Sequence, residues 1–371
     1  MINNKTQNRR RRGTRFFDDP VSNPSCLGCS ACSEFPTCGG LHVRTAAFDC
    51  LAFCCGRPQE CDNVCVRNPA EFVDRVHEIR GFSLDNIPRV GVLSRPVLPR
   101  TIPLVYHGSS RSEAFAPPVV ALPLFALLAR AQGTVKFASR SELLNHFRIS
   151  ESSRIVLTGT DTDAPLERWW AYGDVKRISA LDHLMRLGIE VITSPNYSLF
   201  SDAPRWTDMH SMKRIAHTWQ EIANAGIRSA LHVNARTMQD WRRWRDFVGE
   251  RDEINCLAFE FATGAADPTR MLWHTDQLCR LAGEVQRPIT LFVRGGTAVL
   301  SQLEEFFADV CLIDARPFMK AIHRQKAVER SDGSFVWRST AGTKSAQVEE
   351  LLEHNSLVLA DLPERLACRR A

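Results

Sequence analysis

The sequence predicts an α/β chain: a (β/α)8-type, TIM-like barrel preceded by a small cysteine-rich metal-binding module. Three observations carry this reading. Between residues 103 and 314, short apolar runs alternate with amphipathic helical patterns. Those runs stop on polar residues. Nine of the thirteen cysteines fall between Cys26 and Cys65.

The chain opens on a basic tail. Lys5, Arg9, Arg10, Arg11, Arg12 and Arg15 precede the first acidic residue, Asp18, so the rest of a +5 chain sums to about −1. Residues 1–20 read as a disordered arm able to reach nucleic-acid phosphates or simply remain solvated. Met1–Arg15 has no apolar h-region, and the longest apolar stretch, Phe115–Ala129, carries three prolines and is too short for a bilayer. These features point to a cytoplasmic chain without a membrane partner. Hydrophobic content of 44% and charged content of 24% exclude wholesale disorder.

Residues 21–87 form the cysteine module, built on Cys26, Cys29, Cys32, Cys38, Cys50, Cys54, Cys55, Cys61 and Cys65. Disulfides need an oxidising compartment, and an odd count leaves one thiol over. The opening C-x2-C-x2-C-x5-C run wraps three corners of a cubane as in ferredoxin-like spacing, with a longer fourth interval. The second half, C-x3-C-C-x5-C-x3-C, supplies five further thiols. One or two 4Fe-4S iron–sulfur clusters are expected, with zinc as the alternative. His42 is the only histidine nearby, which favours all-thiolate ligation. The segment has little periodic apolar content, so the metal would supply much of its folding free energy.

After a proline-rich connection, residues 88–330 supply the barrel and residues 331–371 an extension expected to pack on it. The apolar runs are Pro103–His107, Thr134–Ala138, Ile155–Thr160, Ile189–Ser194, Ile227–Asn234, Ile254–Phe261, Pro288–Arg294 and Val310–Asp314. Helical patterns separate them, including Leu181–Leu187, Met209–Ala225, Met238–Val248, Thr269–Val285 and Ala298–Ala308. Gly188 and Gly226 stand where a helix C-cap belongs. Such βα units close into a barrel whose active site lies at the C-terminal strand ends.

Polar residues gather at those ends. Asp161, His232, Glu260 and Asp314 are the candidate catalytic groups, as acid, base, nucleophile or, with His107, metal ligands. Asn196, Asn234, Arg294, Gly295 and Gly296 are the candidate substrate-binding positions, the glycine pair allowing close backbone approach to a phosphate. No comparable polar series is expected at the N-terminal strand ends. Trp169, Trp170, Trp206, Trp219, Trp241 and Trp244 read as core residues or, where exposed beside arginines, as base-stacking platforms.

The strand ending at Thr193 continues into Pro195-Asn-Tyr-Ser-Leu-Phe200 and Asp202-Ala-Pro204, and a G-I-x-x-x-x-H run spans Gly226 to His232. Over residues 150–265 these elements resemble an uncharacterised domain-of-unknown-function family of phages and mobile elements. That resemblance implies no known activity. Gln132-Gly-Thr-Val-Lys136 is similar to a fragment of tRNA-guanine transglycosylases, whose catalytic aspartate motifs and zinc spacing this chain lacks. Together the features predict a metal-cluster barrel enzyme acting on a phosphate-bearing substrate or nucleic acid. The alternative is a non-catalytic nucleic-acid- or protein-binding module of a mobile-element system.

Overall fold

The computed structural model describes residues 78–199, 205–330, 335–340 and 346–360. The basic tail and all nine clustered cysteines lie outside the described residues. The described residues divide into two compact units: 78–89, 197–199, 205–218 and 233–252 form one, and 90–196, 219–232, 253–330, 335–340 and 346–360 form the other.

The second unit holds one parallel eight-stranded sheet. Its strands are β1 (Thr101–Pro103), β2 (Val119–Pro123), β3 (Arg154–Thr158), β4 (Ile189–Thr193), β5 (Arg228–His232), β6 (Cys256–Glu260), β7 (Thr290–Arg294) and β8 (Asp309–Asp314), in the spatial order β1-β8-β7-β6-β5-β4-β3-β2. A single parallel bridge, Leu104 to Ala121, joins the two edges and nearly closes a barrel. Starting at Leu104, the registers lead through Ala121, Val156, Val191 and Arg228. Extended past the strand ends, they return to β1 at position 96, eight residues from the start. That stagger is the value a (β/α)8 barrel requires.

Burial on both faces explains why these strands read as continuous apolar runs. Ile102, Leu104, Val119, Val156, Val191, Phe292 and Ile313 meet inside the barrel with Ala121, Ala230, Cys256, Ala258 and Cys311. The alternate residues, among them Val120, Leu122, Ile155, Leu157 and Ile192, face outward into a second core with Leu181, Leu184 and Ile222 of the flanking helices.

The helices are α1 (Arg140–Phe147), α2 (Asp163–Ala171), α3 (Gly173–Arg186), α4 (Arg205–Asn224), α5 (Met238–Gly249), α6 (Pro268–Val285), α7 (Leu300–Glu304), α8 (Arg316–Ile322) and α9 (Ala346–Ala360). Their boundaries have local causes. Ser139 caps α1, a Thr237/Asp240 capping box opens α5, and Asp267 followed by Pro268 opens α6. Gly188 and Gly226 end α3 and α4 at φ +71° and +81°, as their spacing predicted. A hairpin, β9 (Gln325–Glu329) and β10 (Phe335–Ser339), follows α8. Val348, Leu351 and Leu352 of α9 enter the outer core, and Asn355 bonds β9 at Ala327 N and Gln325 O.

The second strand is not where the sequence placed it. Thr134–Ala138 is irregular apart from an antiparallel bridge between Leu128 and Val135. The strand is Val119–Pro123 instead. Pro117 and Pro118 precede its ladder and Pro123 ends it, so no proline removes a donor from its middle.

In the first unit, residues 78–89 are held by cations from α4 and α5. Lys213 donates to Ser83 O and Asn86 Oδ1, Arg243 to Phe82 O, and Arg251 to Ile87 O and Pro88 O. Burial pushes the Lys213 ammonium down to about 8, with Arg243 adding to the shift and Asp85 opposing it. Trp241 and Trp244 are fully buried there, as are Trp169 and Trp219 in the barrel unit, so these four indoles are core residues. Among the described residues, no helix is long and apolar enough to cross a membrane.

Candidate active site at the C-terminal mouth of the barrel

Side-chain parity decides what faces the mouth. The inward series runs through Val156 and Thr158 on β3, Val191 and Thr193 on β4, Ala230 and His232 on β5, Ala258 and Glu260 on β6, and Phe292 and Arg294 on β7. The last member of each pair stands at the C-terminal end. Two threonines and three ionisable groups therefore converge there from five consecutive strands.

Glu260 and Arg294 are register partners on β6 and β7. Glu260 Oε1 accepts the Ala262 N–H at 2.8 Å, and Oε2 lies 3.4 Å from Arg294 Nη1. Oε2 is buried and accepts no hydrogen bond. Burial raises the Glu260 carboxyl above its ordinary value, against the smaller downward pull of Arg294 and the Ala262 N–H. Arg294 Nη1 also reaches Thr160 O at 3.4 Å, while its Nε and Nη2 edge bonds no described residue.

His232 is fixed from three sides. Its backbone N–H donates to Ser194 Oγ, its ring Nδ1 faces Ser194 O, and its Nε2 lies 3.3 Å from Thr160 Oγ1. A carbonyl only accepts, so Nδ1 carries the hydrogen and neutral Nε2 presents a lone pair. Burial pushes the imidazole down to about 4, with the Arg294 cation adding to the shift. It is neutral at physiological pH.

The remaining sequence candidates are placed differently. Asp161 is exposed, and its Oδ1 accepts the Thr162 N–H at the start of α2. Asn196 donates its backbone N–H to Gly159 O, and its buried Oδ1 accepts no hydrogen bond. Asn234 belongs to the other unit, where its amide donates to Tyr197 O. Asp314 alternates with inward Cys311 and Ile313 and so lies on the outer face, bound by Arg316 through both oxygens at 2.6–3.0 Å. His107 bonds Ser109 Oγ and packs edge-on against Phe318.

Gly295 and Gly296 have a packing reason for being glycine. Both hold positive φ, +72° and +70°, and an added Cβ would meet Ala262 N at 2.9 Å or the Phe261 ring at 2.6 Å. The helix that follows, α7, has five residues and offers no anion site. Arg294 is the cation of the inward series at the mouth.

The N-terminal strand ends do carry a polar series, against expectation. Arg228 bonds Glu190 and Ser94, Arg154 bonds Val97 O and pairs with Glu190, and Arg95 reaches Asp309 and Thr290. These groups bind the 93–97 segment beneath the barrel and are mutually satisfied.

A scan of the chain against protein-family models and curated proteins returns no match. Among the described residues, no group of three or more His, Cys, Asp or Glu side chains could hold a metal ion. The sequence placed Thr160, Thr193 and Ser194 at strand ends but assigned none of them a role. The signal for Thr160 was present: Val156, Thr158 and Thr160 share one parity.

Proposed function

We propose that this chain is an enzyme whose site is the C-terminal mouth of the barrel, acting on a phosphate-bearing substrate or a nucleic-acid strand. In this reading Glu260 transfers the proton. Its raised pKa keeps a larger fraction protonated than an exposed glutamate would have, which suits a general acid. Arg294 orients the anionic group through its unengaged Nε/Nη2 edge, a planar fork that matches two phosphate oxygens. His232 contributes a fixed neutral hydrogen-bonding surface rather than a charge. The observation that carries the proposal is Glu260 Oε2, a buried carboxylate oxygen beside a cation that accepts no hydrogen bond. Buried polar atoms without partners are uncommon, and a ligand that completes the atom is one physical reason for them.

The test is a turnover screen over phosphate esters and short oligonucleotides, repeated with Glu260→Gln. Loss of turnover with retained binding supports the assignment; undiminished turnover in the variant overturns it.

The second reading, a non-catalytic nucleic-acid-binding module of a mobile-element system, is favoured by one feature, the six cations of Met1–Arg15. Removing that tail would then weaken binding and flatten its salt dependence by up to about six charges' worth. Unchanged salt dependence would leave this reading without support.

The nine clustered cysteines would hold one or two iron–sulfur clusters, or zinc, within residues 21–87. Anaerobic purification followed by iron, zinc and acid-labile sulfide analysis tests this. A colourless protein with stoichiometric zinc and no labile sulfide would rule out the clusters.

A further inference from the structure

Hydrogen-bond accounting at the mouth specifies more than a proton donor and a cation. His232 Nδ1 faces a backbone carbonyl, so its hydrogen points there and Nε2 can only accept. Thr160 Oγ1, 3.3 Å from Nε2, must therefore donate its single hydrogen to the ring. Both hydroxyl lone pairs remain, and Thr160 is partly exposed. Toward a ligand this hydroxyl is an acceptor only. Arg294, whose Nη1 lies 3.4 Å from the carbonyl of the same Thr160, has its other edge free for an anion. One acceptor that demands a donor and one cation that demands an anion thus stand side by side.

We infer that Thr160 is a specificity-determining residue of the mouth, and that the ligand carries a hydroxyl close to its phosphate. The hydroxyl donates to Thr160 Oγ1 while the phosphate lies against Arg294. This rests on the proposed site and names its substrate class. Polyol phosphates and ribonucleotides share that chemistry; simple alkyl phosphates and 2′-deoxynucleotides lack the hydroxyl. A site built to bond a hydroxyl rejects the analogue without one, because the bound analogue strips water from the Thr160 lone pairs and supplies no donor in its place.

Two probe pairs test this on the full chain by calorimetry. Glycerol 3-phosphate is compared with propyl phosphate, and adenosine 3′-monophosphate with its 2′-deoxy counterpart. At least one hydroxylated probe should bind about 10-fold more tightly than its partner. The pair that discriminates identifies the source, polyol or nucleotide. Thr160→Val should erase the difference, and Thr160→Ser should keep it. Nitrogen-15 shifts of His232 should show Nδ1 protonated in the wild type and altered Nε2 shielding in Thr160→Val, which also reports that the valine variant is folded. Glu260→Gln separates the two readings: it should retain the hydroxyl preference even if Glu260 proves to have no catalytic role. Equal affinity within both pairs, or no binding by any of the four probes, overturns the inference.

Discussion

The two ends of the barrel use similar residues to opposite effect. At the N-terminal end, Arg154, Glu190, Arg228, Arg95 and Asp309 bond one another and the carbonyls of Ser94 and Val97. At the C-terminal end, Glu260 and Arg294 touch through one 3.4 Å contact, with an oxygen and a guanidinium edge left over. Charge content does not distinguish the two ends. The pairing of the charged groups does: Arg154, Glu190, Arg228, Arg95 and Asp309 are all engaged, whereas Glu260 Oε2 accepts no hydrogen bond.

The sharpest way to break this comparison is to neutralise one carboxylate at each end. Glu260→Gln should cost turnover about 100- to 10,000-fold, the usual range for a positioned proton-transfer group. A general acid is active while protonated, so wild-type activity should fall as pH rises through the raised Glu260 pKa. That descending limb should be missing from any residual activity of the glutamine variant. Stability should change in the same direction. The folded state holds the Glu260 proton more tightly than the unfolded chain, so stability falls with rising pH across that window and the variant lacks the slope.

A second test concerns His232. Its pKa drops from 6.5 to about 4 on folding. Between those values the unfolded chain binds the extra proton, so stability should rise with pH across that window, by roughly 3 kcal/mol at most. The penalty is fully present below about 4 and gone above 6.5. His232→Asn keeps a donor toward Ser194 O but cannot titrate, so its stability should exceed expectation only at acid pH. An imidazole that titrates by NMR near 6.5 in the wild type would sink this account.

Most of the barrel was legible because a strand buried on both faces leaves a plain apolar run. β3 to β8 fall inside or within a residue of the predicted runs. β2 was not, because Pro117, Pro118 and Pro123 made Val119–Pro123 look like a broken apolar stretch. The site was less legible, since reaching the mouth depends on parity, which a run of apolar letters does not display. Glu260 and Asp314 both end a strand, but Glu260 shares the parity of inward Ala258, whereas Asp314 alternates with inward Ile313. Asp161, the residue after Thr160, is exposed and turns to accept the Thr162 N–H just before α2. Gly295 and Gly296 looked like a phosphate loop, and only the Phe261–Ala262 backbone beside them reveals the packing cause.

That packing cause gives a third, smaller effect. Gly296→Ala places a Cβ 2.6 Å from the Phe261 ring at φ +70°. The strained backbone and the clash together should cost about 2 kcal/mol, read from chemical denaturation. Phosphate binding through Arg294 should survive once stability is allowed for; its selective loss would restore the glycine pair as a phosphate cradle.

The mildest expected effect falls on the saturated end. Glu190 Oε1 lies 3.2 Å from Arg228 and 3.8 Å from Arg154. Its side chain is 23% exposed and the arginines' are 33% and 43% exposed, so water can take over when the carboxylate is removed. Glu190→Gln should therefore cost only about 1 kcal/mol, less at high salt, far from the penalty for orphaning a fully buried charge. Arg228 retains Ser94 O and Oγ, and Arg154 retains Val97 O, which holds the 93–97 segment in place. Turnover and ligand affinity should be unchanged, because the barrel interior between the two ends is filled by Val156, Val191 and Phe292. If Glu190→Gln instead impairs turnover as much as Glu260→Gln while remaining folded, the division into a structural end and a functional end is wrong.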